Sequence, residues 1–184
     1  MGISVTALRN KLVQGGARPS LFYAKIDFPT AGDLEELRTA TGLETKDISF
    51  FIKSAQIPES TIASIPINFL GREFKVPSID RTFADWSITV LNDTNFKLRN
   101  AFERWQNGIN NMSDNEGLSN PVDYQVDAFV DQLDRNGNTL KSYTLRGAFP
   151  VDIAAIDLNF ATNDEVETFG VTFQYQYFET NTTT

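Results

Sequence analysis

Residues 81–108 read RTFADWSITVLNDTNFKLRNAFERWQNG, and their hydrophobic period changes half-way along. Trp86, Ile88 and Val90 share one parity while Asp85, Ser87 and Thr89 share the other, the alternation of a half-buried β-strand. Beyond Asn92 the apolar residues Leu98, Ala101, Phe102, Trp105 and Ile109 recur at helical spacing and form one stripe. Asp93 or Thr94 suits the helix start, where free N–H groups need a short side-chain acceptor. Gly108 suits its end, because glycine takes a left-handed conformation at little cost. A strand therefore feeds the one substantial helix of the chain. Trp86, Phe102 and Trp105 are expected in the core beneath it.

Upstream, Asp47 to Ile57 and Thr61 to Phe69 are apolar-rich strand candidates, and Arg72 to Ile79 is a third after the Leu70-Gly71 turn. Pro58, Pro66 and Pro77 fall among them. Proline cannot donate to a ladder, so these strands are expected at edges or bulges, where a second chain can add on. Further back, Thr30 to Lys46 holds Asp33-Leu34-Glu35-Glu36-Leu37-Arg38, a short exposed helical turn with a capping-box pattern at Asp33 and Glu36. Arg18-Pro19 forces an extended lead into a strand from Leu21 to Phe28. Ser4 to Gln14 reads as a helix capped by Ser4, with Val5, Leu8 and Leu12 as a narrow stripe and Gly15-Gly16 as its stop. From the residues alone this helix packs on its own domain.

Downstream, Asn110 to Pro121 is a polar surface loop whose Asp114 and Glu116 lack a bounded metal-binding pattern. Val122 to Asp131 alternates: Val122, Tyr124, Val126, Ala128 and Val130 face one way, and Asp123, Gln125, Asp127 and Asp131 the other. Asp134 to Asn138 resembles an EF-hand loop only faintly, its glycine standing at the fourth position and Leu145 at the twelfth. Asn136-Gly137 reads as a hairpin turn into Thr139 to Arg146. Ala154 to Phe160 is a short strand candidate. Glu165 to Phe178 closes the fold, with Phe169, Val171, Phe173, Tyr175 and Tyr177 on one face and the uncharged Thr168, Gly170, Thr172, Gln174 and Gln176 on the other. Residues 179–184 are expected to be disordered. Many short strands and one main helix predict a mainly β fold, an antiparallel barrel or sandwich with the helix packed on it.

At 184 residues the chain has the size of one domain, and 15 Phe, 5 Tyr and 2 Trp supply a real core. It contains neither cysteine nor histidine. Disulfides, thiolate chemistry and the commonest general base and metal ligand are thereby absent. No cofactor and no metal site are expected. No P-loop, dinucleotide fingerprint, zinc motif or nucleophile elbow occurs, and nothing selects a catalytic pair from the many carboxylates. The chain is therefore expected not to be an enzyme. A net charge of −8 disfavours gripping nucleic acid. No signal pattern or membrane-length apolar run is apparent, so no membrane anchor is expected. A free binding domain displaying loops and a self-assembling structural subunit remain.

The run Arg81-Thr82-Phe83, Asp85-Trp86, Val90, Asn92-Asp93, Phe102 and Trp105-Gln106 resembles the tail tube protein of contractile-tailed bacteriophages of the T-even type. Ala17-Arg18-Pro19 with Leu21-Phe22 resembles the lead into that family's first strand. Gly147, Phe149-Pro150 and Asn163-x-Glu165-x-x-Thr168-Phe169 resemble its closing segment. The pieces are collinear from Arg18 to Phe178, and residues 30–46 are an insertion relative to the family.

The resemblance implies one tail-tube domain over residues 1–184, with a tube fold shared by secretion-system tubes. It implies a structural subunit forming stacked hexameric rings inside a contractile sheath, a virion component assembled in the host cytoplasm. Alternatives are the inner tube of a related contractile injection or secretion system, or a baseplate tube initiator. Implied partners are further copies of the chain, the sheath protein, the tape measure protein, and baseplate and terminator proteins. Double-stranded DNA would pass through the lumen without specific binding. Residues 1–17 become an arm toward a neighbouring subunit, and Leu8, Leu12, Arg18, Ile57, Ile65 and Ile67 are candidate intersubunit contacts. The polar faces carrying Asp123, Gln125, Asp127 and Asp131, or Thr172 and Gln174, are candidate linings of the channel.

Overall fold

A computed structural model describes residues 4–12, 16–30, 34, 37 and 45–183. The helix α1 (Val5–Lys11) precedes β1 (Phe22–Ile26), α2 (Thr45–Phe51), β2 (Ile52–Ala55), β3 (Ser60–Phe69), β4 (Arg72–Phe83) and β5 (Trp86–Leu91). Then come α3 (Lys97–Ile109), α4 (Pro121–Tyr124), β6 (Val126–Leu133), β7 (Thr139–Ile153), β8 (Thr168–Gln174) and β9 (Tyr177–Thr180). A 7-stranded antiparallel sheet has the order β1-β6-β7-β8-β5-β2, with β9 also paired to β7. β3 and β4 form a separate 2-stranded sheet. The mainly β, antiparallel fold with one principal helix is as the sequence predicts.

β7 is the bent spine of the large sheet. Its first part pairs with β6 and β9, and from Phe149 onward it pairs with β8. Gly147, with φ 65°, stands just before the change of partner. A Cβ there would lie 3.1 Å from both Gln125 Oε1 and Gln176 Cγ, a tight approach, but it is the left-handed conformation that calls for glycine.

The inner faces of both halves bury a common core around α3. Ala24, Ile26, Ala128, Val130 and Leu145 come from one half, and Trp86, Ile88, Val90, Phe169, Val171 and Phe173 from the other. Leu98, Ala101, Phe102 and Trp105 of α3 are buried between them. Phe102 packs against Phe28, Phe169 and Phe173 at centroid distances of 5.7, 6.4 and 5.9 Å. Both indoles place their N–H: Trp86 Nε1 donates to Gln56 O at 2.7 Å and Trp105 Nε1 to Tyr124 O at 2.9 Å. The N-cap of α3 is neither Asp93 nor Thr94 but Phe96, left-handed at φ 54° and without a side-chain cap, although Asp93 Oδ1 reaches forward to accept from the Lys97 N–H at 2.8 Å.

Several local expectations are corrected. Gly108 lies inside α3 rather than ending it; a Cβ there would stand 2.6 Å from Leu34 Cδ2, so glycine makes room for Leu34. Leu34 and Leu37 are buried, so the 30–46 segment is not simply an exposed turn, while Asp33, Glu35 and Glu36 lie outside the described residues. Asp47 to Ile57 is a helix and a short strand, because Ile48, Phe51 and Ile52 recur at helical spacing and pack inward. Val122 and Asp123 belong to α4, started by Pro121 at its first turn, and the strand begins only at Val126. Ala154 to Phe160 is not a strand: Ile156 packs on the core, but Leu158 and Phe160 face solvent. The closing strand is interrupted at Tyr175-Gln176, and β9 continues in the same direction as β8, pairing with the earlier part of β7 while Tyr177 is exposed. Of the end expected to be disordered from 179, Glu179 and Thr180 complete β9, Thr180 is buried with its hydroxyl against Thr182 and Thr183, and Thr184 lies outside the described residues.

Candidate assembly surface

Among the described residues β3 and β4 pair as strands only with each other, and every residue of β3 is exposed. Ten residues of strand extend ~34 Å at 3.4 Å per residue, so the hairpin is a long projection from the body. Cross-strand pairing places Ile65 opposite Val76 and Ile67 opposite Phe74. Directly paired residues share a face, so Ile65, Ile67, Phe74 and Val76 form one apolar surface, extended by Phe69 two residues further on. The other face carries Pro66 against Lys75 and Asn68 against Glu73, with Lys75 and Glu73 in an ion pair at 3.4 Å. Leu70 at the tip is 87% exposed, Phe69 70% and Phe74 65%.

The root of the hairpin is clamped. Phe83 meets Phe178 at 5.6 Å and Tyr175 at 6.0 Å, and the Ala84 N–H donates to Glu59 O at 3.3 Å. Burial raises the Tyr175 pKa, with the charges of Asp85 and Glu59 adding to it. A two-stranded hairpin is marginally stable at best in water. An apolar face of this kind on a clamped projection is a surface that awaits a partner.

α1 is the second such feature. Ser4 caps it, accepting from the Ala7 N–H at 3.1 Å, and none of its residues is buried. Val5, Leu8 and Leu12 are exposed, so α1 does not pack on its own domain. Arg18 is exposed, and its carbonyl accepts from Gln132 Nε2 at 2.7 Å. Ile57 is exposed beside the hairpin root. The six residues singled out by sequence thus lie on α1, on the segment before β1, at the hairpin root and on its apolar face. Sequence reasoning missed Phe69, Phe74 and Val76, whose common face emerges only from the register around the two-residue turn.

The two polar faces differ. Asp127 accepts from Arg146 Nη1 and Asp131 from the Ser142 hydroxyl. Arg146 also donates to Glu179 at 2.7 Å, and Lys25 pairs with Asp27 at 3.1 Å nearby on β1. Hydrogen bonds from Arg146 to Glu179 and then to Asp127 raise its pKa. That face mixes both signs, and Asp123 and Gln125 precede β6 instead of lying in it. β8 itself puts no charge on its outer face, where Thr172 Oγ1 lies 3.3 Å from Ser87 Oγ and Gln174 is exposed, but the exposed Asp152 of β7 pairs directly with Thr172 there.

The Asp134 carboxylate is committed to its own turn, accepting from the N–H groups of Asn136 and Asn138 at 2.7 and 2.8 Å and from Asn138 Nδ2 at 3.1 Å. No group of three or more metal-ligating side chains occurs among the described residues. No described helix is long and apolar enough to cross a membrane.

A family model described as phage tail tube protein matches residues 17–181. The tail tube protein gp19 of Enterobacteria phage T4 is 29% identical over 89% of this chain and 91% of its own length. The tail tube protein of Serratia phage KSP90 is 29% identical over 96% of this chain and 95% of its own. Among solved structures, a chain of the sheath-tube complex of an extracellular contractile injection system, PVC, aligns with TM-score 0.61 at 14% identity, covering 98% of this chain and 99% of that one. A chain of the anti-feeding prophage baseplate aligns with TM-score 0.64 at 12% identity, over 89% and 94%.

Proposed function

Because the chain belongs to the phage tail tube protein family, we propose that its projecting hairpin and its α1 helix join identical copies into stacked hexameric rings. The chain itself is a structural subunit of a phage tail tube, a virion component and not an enzyme. The observation that carries the assembly reading is the unpartnered apolar face of Ile65, Ile67, Phe74 and Val76. A neighbouring copy, present six-fold in the ring or in the ring above, covers that face and the free edges of β3 and β4.

The tube would lie inside a contractile sheath, bounded by baseplate and terminator proteins, and hold a tape measure protein before DNA. Support comes from the fold shared with the PVC sheath-tube complex. The phage relatives match at 28–29% identity over most of their length, which favours a phage tail over another injection system. Double-stranded DNA carries one negative charge per ~1.7 Å of axis. Six copies of a chain at −8 sum to about −48, and an acidic or neutral wall in such a ring repels or ignores DNA and lets it slide. The Thr172 and Gln174 face of β8, with Asp152 of β7 paired opposite Thr172, suits such a wall better than the Asp127 and Asp131 face, whose charges are partly spent on Arg146 and Ser142. Averaged electron-microscope images of purified tubes viewed end-on test the ring. Six-fold averages support it, and any other rotational order refutes it.

A further inference from the structure

We propose that the cavity bordered by residues 155–168 receives α1 of a neighbouring copy, an inference that rests on the reading of α1 as an intersubunit arm. The cavity measures about 600 Å³ and is lined by Ile156, Asp157, Leu158, Phe160, Glu165 and Val166 among others. Leu158, Phe160 and Val166 are exposed although large and apolar. The same segment carries Asp157, Asp164, Glu165 and Glu167 and no Lys or Arg.

α1 is the complement in both respects. Val5, Leu8 and Leu12 form an exposed apolar stripe, and Arg9 and Lys11 are its charged residues, with no acidic residue from Ser4 to Leu12. Among the described residues Arg9, Lys11, Asp157, Asp164 and Glu165 are in no ion pair. Glu167 is already held by Asn92 Nδ2 at 2.7 Å. Docking therefore buries two facing apolar surfaces and brings unpaired charges of opposite sign together, at a rim where they also guide the encounter. The residues flanking the segment are held by Arg99, which donates to Ala154 O at 2.6 Å and whose guanidinium lies 5.3 Å from the centre of the Phe169 ring.

The chain has no cysteine, so the pair Leu8→Cys with Leu158→Cys gives an unambiguous cross-link. Oxidation of assembled tubes is expected to yield a reducible ladder of covalent multimers. A cross-linked monomer alone, or no cross-link in well-formed tubes, overturns the proposal. Charge exchange is the second measurement. Arg9→Glu with Lys11→Glu, and separately Asp157→Lys with Glu165→Lys, are each expected to lose most of the tube yield, and the chain carrying all four substitutions to regain it. No recovery in that chain, while it remains folded by circular dichroism, counts against the pairing. Deletion of residues 1–15 separates this proposal from its premise. Normal tubes from the truncated chain remove the arm reading, whereas poor tubes without an 8–158 cross-link remove only this acceptor.

Discussion

Arg146 of β7 donates to Asp127 of β6 across the strand pair, while its other nitrogens hold Glu179 of β9. One guanidinium thus ties three neighbouring strands on a polar face that alternation alone marks as acidic. Asp127→Lys sets a second cation beside Arg146, so a lower Tm is expected for this variant. Any loss of DNA delivery from it then reports on folding as much as on a channel.

Gln174 is the cleaner probe of the channel. It is exposed and neutral, so Gln174→Lys is expected to fold and assemble normally. If the β8 face lines the lumen, virions carrying it adsorb to cells yet deliver DNA more slowly, with a deficit that shrinks as salt rises. Delivery at the normal rate would take that face out of the channel.

Gly108 and Leu34 form a coupled pair. Gly108→Ala gains ~0.5–1 kcal/mol of helix propensity but forces Leu34 aside, at ~1–3 kcal/mol of overpacking. A net loss of stability is expected. Leu34→Ala alone is expected to cost ~2–5 kcal/mol. In the double variant the clash disappears, so its loss should fall short of the sum of the two by ~1 kcal/mol or more. Urea unfolding of the four chains measures this, and strict additivity would show that the two residues do not press on each other.

Much of the fold was legible because its signals are local. The alternation of Trp86, Ile88 and Val90 and the stripe through Leu98, Phe102 and Trp105 each need one face of one element. The misreadings share a cause: a local pattern compatible with two outcomes, decided by a distant contact. Gly108 reads as a helix stop until Leu34 is seen above it. Ala154 to Phe160 alternates like a strand, yet Leu158 and Phe160 point to solvent. Ile65 and Ile67 were visible as edge residues, but only register joins them to Phe74 and Val76. The assembly surface is harder still to read, since its residues satisfy no requirement of the single chain.

Trp105 fills the centre of the core, stacked on Phe102 at 6.4 Å and tilted on Phe173 at 6.1 Å. Trp105→Ala is expected to cost ~3–5 kcal/mol, a large share of a domain's stability, and to give insoluble or unassembled protein. Trp105→Phe keeps most of the packing but leaves Tyr124 O without its donor, so a milder loss is expected. A fully stable Trp105→Ala chain by thermal melting would contradict the core assignment.

Hydrogen bonds from the Asn138 side chain and backbone hold Asp134 below the usual carboxylate range. Its folded pKa is depressed, so its stabilisation of the β6–β7 turn is present above the unfolded value of about 3.9. That contribution is lost as pH falls through the folded value. A carboxyl-carbon NMR titration should place the Asp134 midpoint below the ordinary Asp value, and a normal midpoint would contradict the turn geometry. Because this carboxylate is spent on its own turn, added calcium should leave the titration unmoved.

The central claim is that the exposed apolar face of the β3–β4 hairpin exists to be covered by other copies. Ile67→Lys with Phe74→Lys changes two paired, exposed side chains and no buried one. Negative-stain electron microscopy of this variant beside the unaltered chain is the direct measurement. The account predicts long tubes from the unaltered chain, and from the variant only small folded particles with an unchanged circular dichroism spectrum. Tubes of equal length and number from the variant would contradict it.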